Sequence, residues 1–116
     1  MALGTTGLNT MANGIKNVTS LQLVATVGAT EEATATVTFG SATGGVINIT
    51  TAAGGGGDVT LTIPDTLTTP FEISHVYLRE VGETLANHIA VQALSSNNAF
   101  PSGGDLIVTS FEITVE

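Results

Sequence analysis

Residues 33–39 read Ala-Thr-Ala-Thr-Val-Thr-Phe, with an apolar side chain at every odd position and threonine at every even position. Because successive side chains of a β-strand point to opposite faces, this alternation predicts a strand with one buried face and one threonine face. The same period of two recurs at 47–50, 59–63 and 107–115. In the last of these runs we expect Ile107, Phe111 and Val115 to share one face.

Three further runs, at 18–27, 71–81 and 85–94, also have strand character. In the run 71–81 the apolar parity changes before Val76, so we expect either a bulge near Ser74 and His75 or burial on both faces. Gly82 suits a turn position with positive φ, which predicts a hairpin between the last two runs. The total is about seven strands.

The composition agrees with this pattern, since 20 Thr and 14 Gly occur among 116 residues and only 4% are aromatic. Short strands punctuated by Gly and Pro predict an all-β fold. We expect an antiparallel β-sandwich or jelly-roll-like barrel of about seven strands with one short N-terminal helix or arm. We assign residues 1–17 to that helix or arm and residues 18–116 to a single β-sandwich domain.

The N-terminal segment has the helical period instead. Its apolar residues fall at i, i+3, i+4 and i+7, namely Leu8, Met11, Ala12 and Ile15. A single short helix is marginal in water, so this stripe must dock on another surface. The pattern leaves open whether that surface is the protein's own sheet or a neighbouring subunit.

The charge balance excludes several classes of partner. Two cations, Lys16 and Arg79, stand against ten carboxylates, which gives a net charge of −8. Binding to nucleic acid or to an anionic membrane surface needs clusters of Lys and Arg, so we expect neither. No apolar run approaches the ~20 residues of a membrane-spanning helix. The chain has no Cys, which excludes disulfides and thiolate chemistry.

Motifs for catalysis or cofactor binding are not evident. Lys16 does not follow a glycine, which excludes a phosphate-binding P-loop. The run Gly54–Gly57 followed by Asp58 is a single copy with its Asp in the wrong register for a calcium-binding glycine-rich repeat, and it lacks the spacing of a dinucleotide-binding motif, so it predicts only a loop. His75 and His88 are expected roughly opposite each other across the hairpin, without an obvious third metal ligand. We therefore expect no enzymatic activity, no metal and no cofactor.

Some apolar residues are placed for contact with a partner. Phe100 lies in the polar loop 95–104, where it could anchor a partner or cap the protein's own core, and Leu67 gives a weaker form of the same signal. Together with the N-terminal segment they form the predicted protein interface: Met1, Leu3, Leu8, Met11, Ile15, Leu67 and Phe100.

Three segments carry a resemblance to a known family. They read Met-Ala-Leu-Gly-Thr-Thr-Gly-Leu-Asn-Thr-Met at 1–11, Ile-Ser-His-Val-Tyr-Leu at 73–78 and Gly-Asp-Leu-Ile-Val-Thr at 104–109. In this order the chain resembles a family of small structural proteins of tailed bacteriophages, described as head decoration, head fibre or tail fibre proteins. Members of that family begin with a short helix and continue with Gly- and Thr-rich strands.

The resemblance implies a structural protein of the virion without catalytic residues. Its most specific implication is a capsid decoration (cement) protein on the outside of a phage head. There it would bridge major capsid subunits and contact copies of itself as a homo-oligomer. A tail or fibre component is the alternative within the virion. A carbohydrate-binding or adhesin module is the alternative of another class, although the chain has no Trp and one Tyr for a sugar platform.

Overall fold

The computed structural model describes residues 3–18, 20–28, 30–50, 59–63, 73–94 and 104–115. These residues form one α-helix, α1 (Thr5–Lys16), and one turn of 3₁₀ helix, η1 (Leu85–Asn87). They also form nine strands: β1 (Leu21–Val27), β2 (Thr30–Phe39), β3 (Val46–Ile47), β4 (Ile49–Thr50), β5 (Val59–Ile63), β6 (His75–Glu80), β7 (Ala90–Ala93), β8 (Gly104–Val108) and β9 (Ile113–Thr114).

The largest sheet has five strands in the order β4-β2-β1-β6-β7, and all of its pairings are antiparallel. β1 lies at its centre, where Leu23 pairs with Ala35 of β2 and with Leu78 of β6. Two smaller antiparallel sheets, β5–β8 and β3–β9, complete the fold. The predicted class, an antiparallel all-β sandwich with a short N-terminal helix, is confirmed.

The core lies between these sheets. The buried face of the large sheet carries Leu23 and Leu78, and Leu61 of β5 faces them in the same apolar cluster. The rings of Phe39 and Phe111 pack edge to face with centroids 6.5 Å apart, which joins β2 to the segment before β9. The alternation at 33–39 and 59–63 therefore buries one face of each strand, as the sequence predicts.

The nine strands correspond to the seven predicted runs because two of those runs change sheets part way. The run 47–50 divides at Asn48, so that β3 pairs with β9 while β4 pairs with β2. The run 107–115 divides at 109–112, so that β8 pairs with β5 and β9 pairs with β3. Strands that switch sheets in this way form the corners of a sandwich.

Asn48 holds both corners together. Its side-chain Oδ1 accepts hydrogen bonds from the backbone N–H groups of Ile49 (2.8 Å) and Phe111 (2.9 Å). Its Nδ2 donates to Ser110 Oγ at 3.2 Å, and its backbone carbonyl accepts from Gly40 N–H at 2.9 Å. One carboxamide thus satisfies two backbone donors at the point where both strands leave their ladders.

The bend at the second corner overturns one prediction. Leu106 and Val108 are buried, whereas Ile107 is 55% exposed. Ile107 therefore does not share the buried face of Phe111, because the chain bends at 109–110 and the parity of the run changes there. Val115 is half-buried against the core, on the far side of the bend.

The change of parity in the run 71–81 falls just before β6. Ile73 and Val76 are both buried, and the ladder from His75 to Glu80 pairs with β1 without a register shift. Ser74 N–H donates to the Thr26 carbonyl at 2.8 Å, which places the irregularity at the strand's start. Thr26 thus faces both Ser74 and His75, so the irregularity lies at the two residues where the bulge is predicted. The predicted hairpin is present, with Gly82 at φ +96° in its turn and η1 in place of the first residues of the second strand.

The outer face of the large sheet carries an ion pair that covers an apolar residue. Arg79 lies opposite Gln22, and Glu31 lies opposite Thr26, four residues farther along β1. The guanidinium binds both carboxylate oxygens of Glu31, at 2.8 and 2.9 Å, and its Nε donates to Gln22. The pair therefore spans Val24, which is completely buried although it faces away from the core.

Replacing Asn48 tests the corner. We expect Asn48→Ala to lower the free energy of unfolding by about 2–3 kcal/mol, because two backbone donors lose their acceptor. Asn87→Ala is the matched control, since Asn87 is exposed and, within the described residues, its side chain donates to Glu83 alone. It should stay within about 0.5 kcal/mol of the parent. Urea unfolding of both variants measures the difference. Equal stability of the two variants would contradict the role given to Asn48.

Candidate functional site

The helix α1 docks on its own domain, which answers the question that the sequence leaves open. Ala12 is completely buried and belongs to the main apolar cluster. Leu8 and Ile15 are half-buried, and Ile15 packs against that cluster. The apolar stripe predicted from the helical period therefore faces the protein's own core along most of its width.

Two asparagines fix the helix to the segment that enters β3. Asn13 Oδ1 accepts the backbone N–H of Ala42 at 2.8 Å, and Asn9 Oδ1 accepts the N–H of Gly45 at 2.8 Å. Residues four apart lie on the same side of a helix, so both carboxamides reach the same segment. Their hydrogen bonds hold α1 in one orientation on the sandwich.

Gly45 lies where the helix, β3 and the C-terminal segment come closest together. Its φ of +81° belongs to the left-handed region that favours glycine. A Cβ atom at this position would lie 2.9 Å from the Val115 carbonyl oxygen and 3.0 Å from Leu8 Cβ. The Gly45 carbonyl also accepts the Val115 N–H at 2.9 Å. Only glycine fits this junction.

The solvent side of the helix presents an apolar surface, which we call the helical face and define as Leu3, Gly7 and Met11. Met11 is 55% exposed and Leu3 is 42% exposed. Leu3 lies beside Gly7, since its Cδ2 is 3.5 Å from the place where a Gly7 Cβ would stand. Gly7 and Met11, four residues apart, lie on one side of α1, and Leu3, which precedes the helix, packs beside Gly7. The helical face is the candidate interaction site.

The predicted interface residues divide into three groups. Leu3 and Met11 are exposed and belong to the helical face. Leu8 and Ile15 are half-buried against the protein's own body. The remaining three, Met1, Leu67 and Phe100, lie outside the described residues, as does the glycine run 54–57.

The two histidines occupy different positions from those expected. His75 pairs with Ala93 across the hairpin, and Tyr77 lies between His75 and His88. The ring centroid of Tyr77 is 6.1 Å from that of His75 and 5.0 Å from that of His88. The prediction that they lie opposite each other is wrong, because η1 lengthens the turn and shifts the register. In the described part of the chain no three His, Asp or Glu side chains gather as metal ligands.

The residues that position the helical face are ones that the sequence reasoning missed. Asn9 and Asn13 had a usable signal: asparagine is a weak helix former, and here it occurs twice with a spacing of four. Asn48 interrupts a strand-like run, where asparagine is uncommon. Neither signal identifies the backbone N–H group that each side chain binds.

Comparisons of the chain with protein-family models, with curated proteins and with solved structures returned no match. Among the described residues, no helix combines the length and the apolar character that a membrane crossing requires.

Two glycine substitutions test how the helix is held. We expect Gly45→Ala to destabilise the protein by about 2–4 kcal/mol, since it combines left-handed strain with overpacking against Val115 and Leu8. Gly14→Ala is the matched control in the same region. Apart from the helix's own backbone, no atom of the described residues lies within 4 Å of its added Cβ, so it should stabilise the helix by about 1 kcal/mol. Thermal unfolding monitored by circular dichroism measures both, and a Gly45→Ala protein as stable as the parent would contradict the close approach.

Proposed function

We propose that this protein is a non-enzymatic virion protein that decorates the outside of a tailed-phage head and bridges neighbouring major capsid subunits. The resemblance of three segments to small structural phage proteins supports this function. The observation that carries the proposal is the helical face, on which Leu3 and Met11 stay exposed while Asn9 and Asn13 fix the helix beneath them.

A helix held in one orientation is suited to binding a rigid partner. Because α1 is already ordered, docking costs little conformational entropy beyond the rotamers of Leu3 and Met11. Burying one Met or Leu side chain contributes roughly 1.5–3 kcal/mol, and a symmetric shell repeats such a contact at many copies.

The distribution of charge supports the same surface. The chain carries ten carboxylates, and none of them falls within residues 3–16. Lys16, in the last turn of α1, is the one charged residue of the helix. The helical face therefore brings no carboxylate of its own into a contact, whereas the acidic remainder of the chain favours solvent and repels the packaged genome.

Contacts with copies of itself and with the major capsid protein are part of this proposal. The tail or fibre is the alternative location, and it would use the same helical face. An adhesin would instead use the half-buried ring of Tyr77, which His75 and His88 flank on the outer face of the sheet. Binding of the isolated domain to a glycan array would favour that class.

A substitution on the helical face tests the capsid contact. We expect Met11→Asp to weaken binding to purified empty heads by about tenfold or more, because a carboxylate replaces a buried thioether side chain. Ile107→Asp is the matched control, since Ile107 is equally exposed, at 55%, but lies on β8. Co-sedimentation with heads measures both variants.

The control should bind as the parent does. Equal binding of Met11→Asp and the parent would contradict the use of the helical face. Binding of the parent to purified tail tubes and not to heads would favour the alternative location in the tail.

A further inference from the structure

The strand β7 (Ala90–Ala93) forms an edge of the five-stranded sheet. It pairs with β6 on one side, and on its other side no strand neighbours it within the described residues. An edge of this kind presents unpaired N–H and C=O groups that match another extended strand.

The ladder shows which backbone groups of β7 point outward. Leu94 N–H donates to the Ser74 carbonyl at 2.9 Å, so this pair faces inward toward the β6 side. Hydrogen-bonded pairs alternate with non-hydrogen-bonded pairs along an antiparallel ladder, so the backbone N–H and C=O groups of Gln92 also point toward β6. Val91 and Ala93 therefore direct their N–H and C=O groups away from β6, toward the free side.

The side chains of β7 itself are uncharged and partly apolar. Residues 85–94 contain no carboxylate and no Lys or Arg, in a chain whose net charge is −8. Val91 is 46% exposed and Ile89 is 39% exposed. Edge strands are ordinarily guarded by charged side chains or proline, and β7 has neither.

We propose that β7 pairs with β7 of a second copy of this chain, antiparallel and about a twofold axis, to join two five-stranded sheets into one of ten strands. Two copies of this acidic chain repel each other wherever their carboxylates come close. β7 contains no carboxylate, so two copies can approach through this strand without that repulsion. A twofold axis also gives identical strands the same complementary hydrogen-bonding edge.

The positions of the outward groups fix one register. When Gln92 of one copy lies opposite Gln92 of the other, Val91 of each copy lies opposite Ala93 of its mate. Every outward N–H and C=O group within β7 is then paired, in four hydrogen bonds. The larger Val91 side chain stands beside the small Ala93 on one face of the joined sheet. Self-association is part of the proposed function, and this interface names the surface that would mediate it. To that extent the pairing through β7 rests on the proposed function.

Sedimentation velocity of the full chain over a range of concentrations tests the pairing. We expect the parent to pass from 11.7 kDa to twice that mass as its concentration rises. Val91→Pro removes an outward donor and leaves the bonds to β6 in place, so it should remain monomeric at concentrations where the parent is dimeric. Val91→Thr, the matched control, keeps the N–H group and the branched shape, and should dimerise.

A second variant tests the register without proline. In the Gln92→Glu protein two carboxylates would face each other across the axis, so we expect dimerisation to weaken by about twofold to fivefold. Added salt should restore it by screening that repulsion. Amide hydrogen exchange at Val91 and Ala93 should also slow as the concentration of the parent rises.

Several results would overturn the pairing. One is that the parent stays at 11.7 kDa at every concentration. Another is that the Val91→Pro protein associates as the parent does. A third is that the amides of residues 91 and 93 are protected from exchange at every concentration. The last result would mean that another part of the same chain covers the edge. Binding to heads is measured in a separate experiment. A parent protein that dimerises through β7 but does not bind heads contradicts the capsid proposal and not the pairing of β7.

Discussion

The side-chain carboxamides of three asparagines each accept a backbone N–H from a distant segment, and the rest of the structure depends on these hydrogen bonds. Asn9 and Asn13 tie the helix to the strand that enters the second sheet, and Asn48 joins the two corners where strands change sheets. At these places the ladders end, so backbone donors need another acceptor. A neutral amide supplies it without the desolvation cost of a charge, and without the disulfides that a chain lacking Cys cannot form.

These asparagine hydrogen bonds, which we call the asparagine clamps, hold the helix and the strand corners in place. The position of the helix and the register of the large sheet determine which apolar side chains remain exposed to solvent. With the helix seated on Ala12 and packed against Gly45, the Met11 side chain stays exposed at the edge of the apolar stripe. On the large sheet, the turn at Gly82 and the 3₁₀ turn after it set the register of β7, and none of the described strands pairs with the outer side of Val91. The residues of the helix and of β7 include no carboxylate in an acidic chain, which is why we propose contacts with other proteins at these two surfaces.

Much of the fold follows from periodicity, because alternating burial is a local property. The threonine-faced strand at 33–39, the strand at 59–63 and the turn at Gly82 needed no knowledge of distant contacts. The points where strands change sheets do depend on distant contacts, because a period of two does not specify which sheet a strand joins. The exposure of Ile107, for example, depends on a bend at which Asn48 binds Ser110. The helix illustrates the same limit at the candidate site. Leu8 and Met11 are equivalent by spacing, and only the docked orientation separates the half-buried residue from the exposed one.

Native-state hydrogen exchange of the backbone amides of Ala42, Gly45 and Phe111 tests the asparagine clamps most directly. Each of these amides lies outside the regular strand ladders and has a carboxamide oxygen as its acceptor. If the clamps hold the helix and corners as part of one cooperative unit, the three amides exchange with the same opening free energy as amides in the centre of β1. Exchange at the rate of freely exposed loop amides, with β1 still protected, would contradict the account.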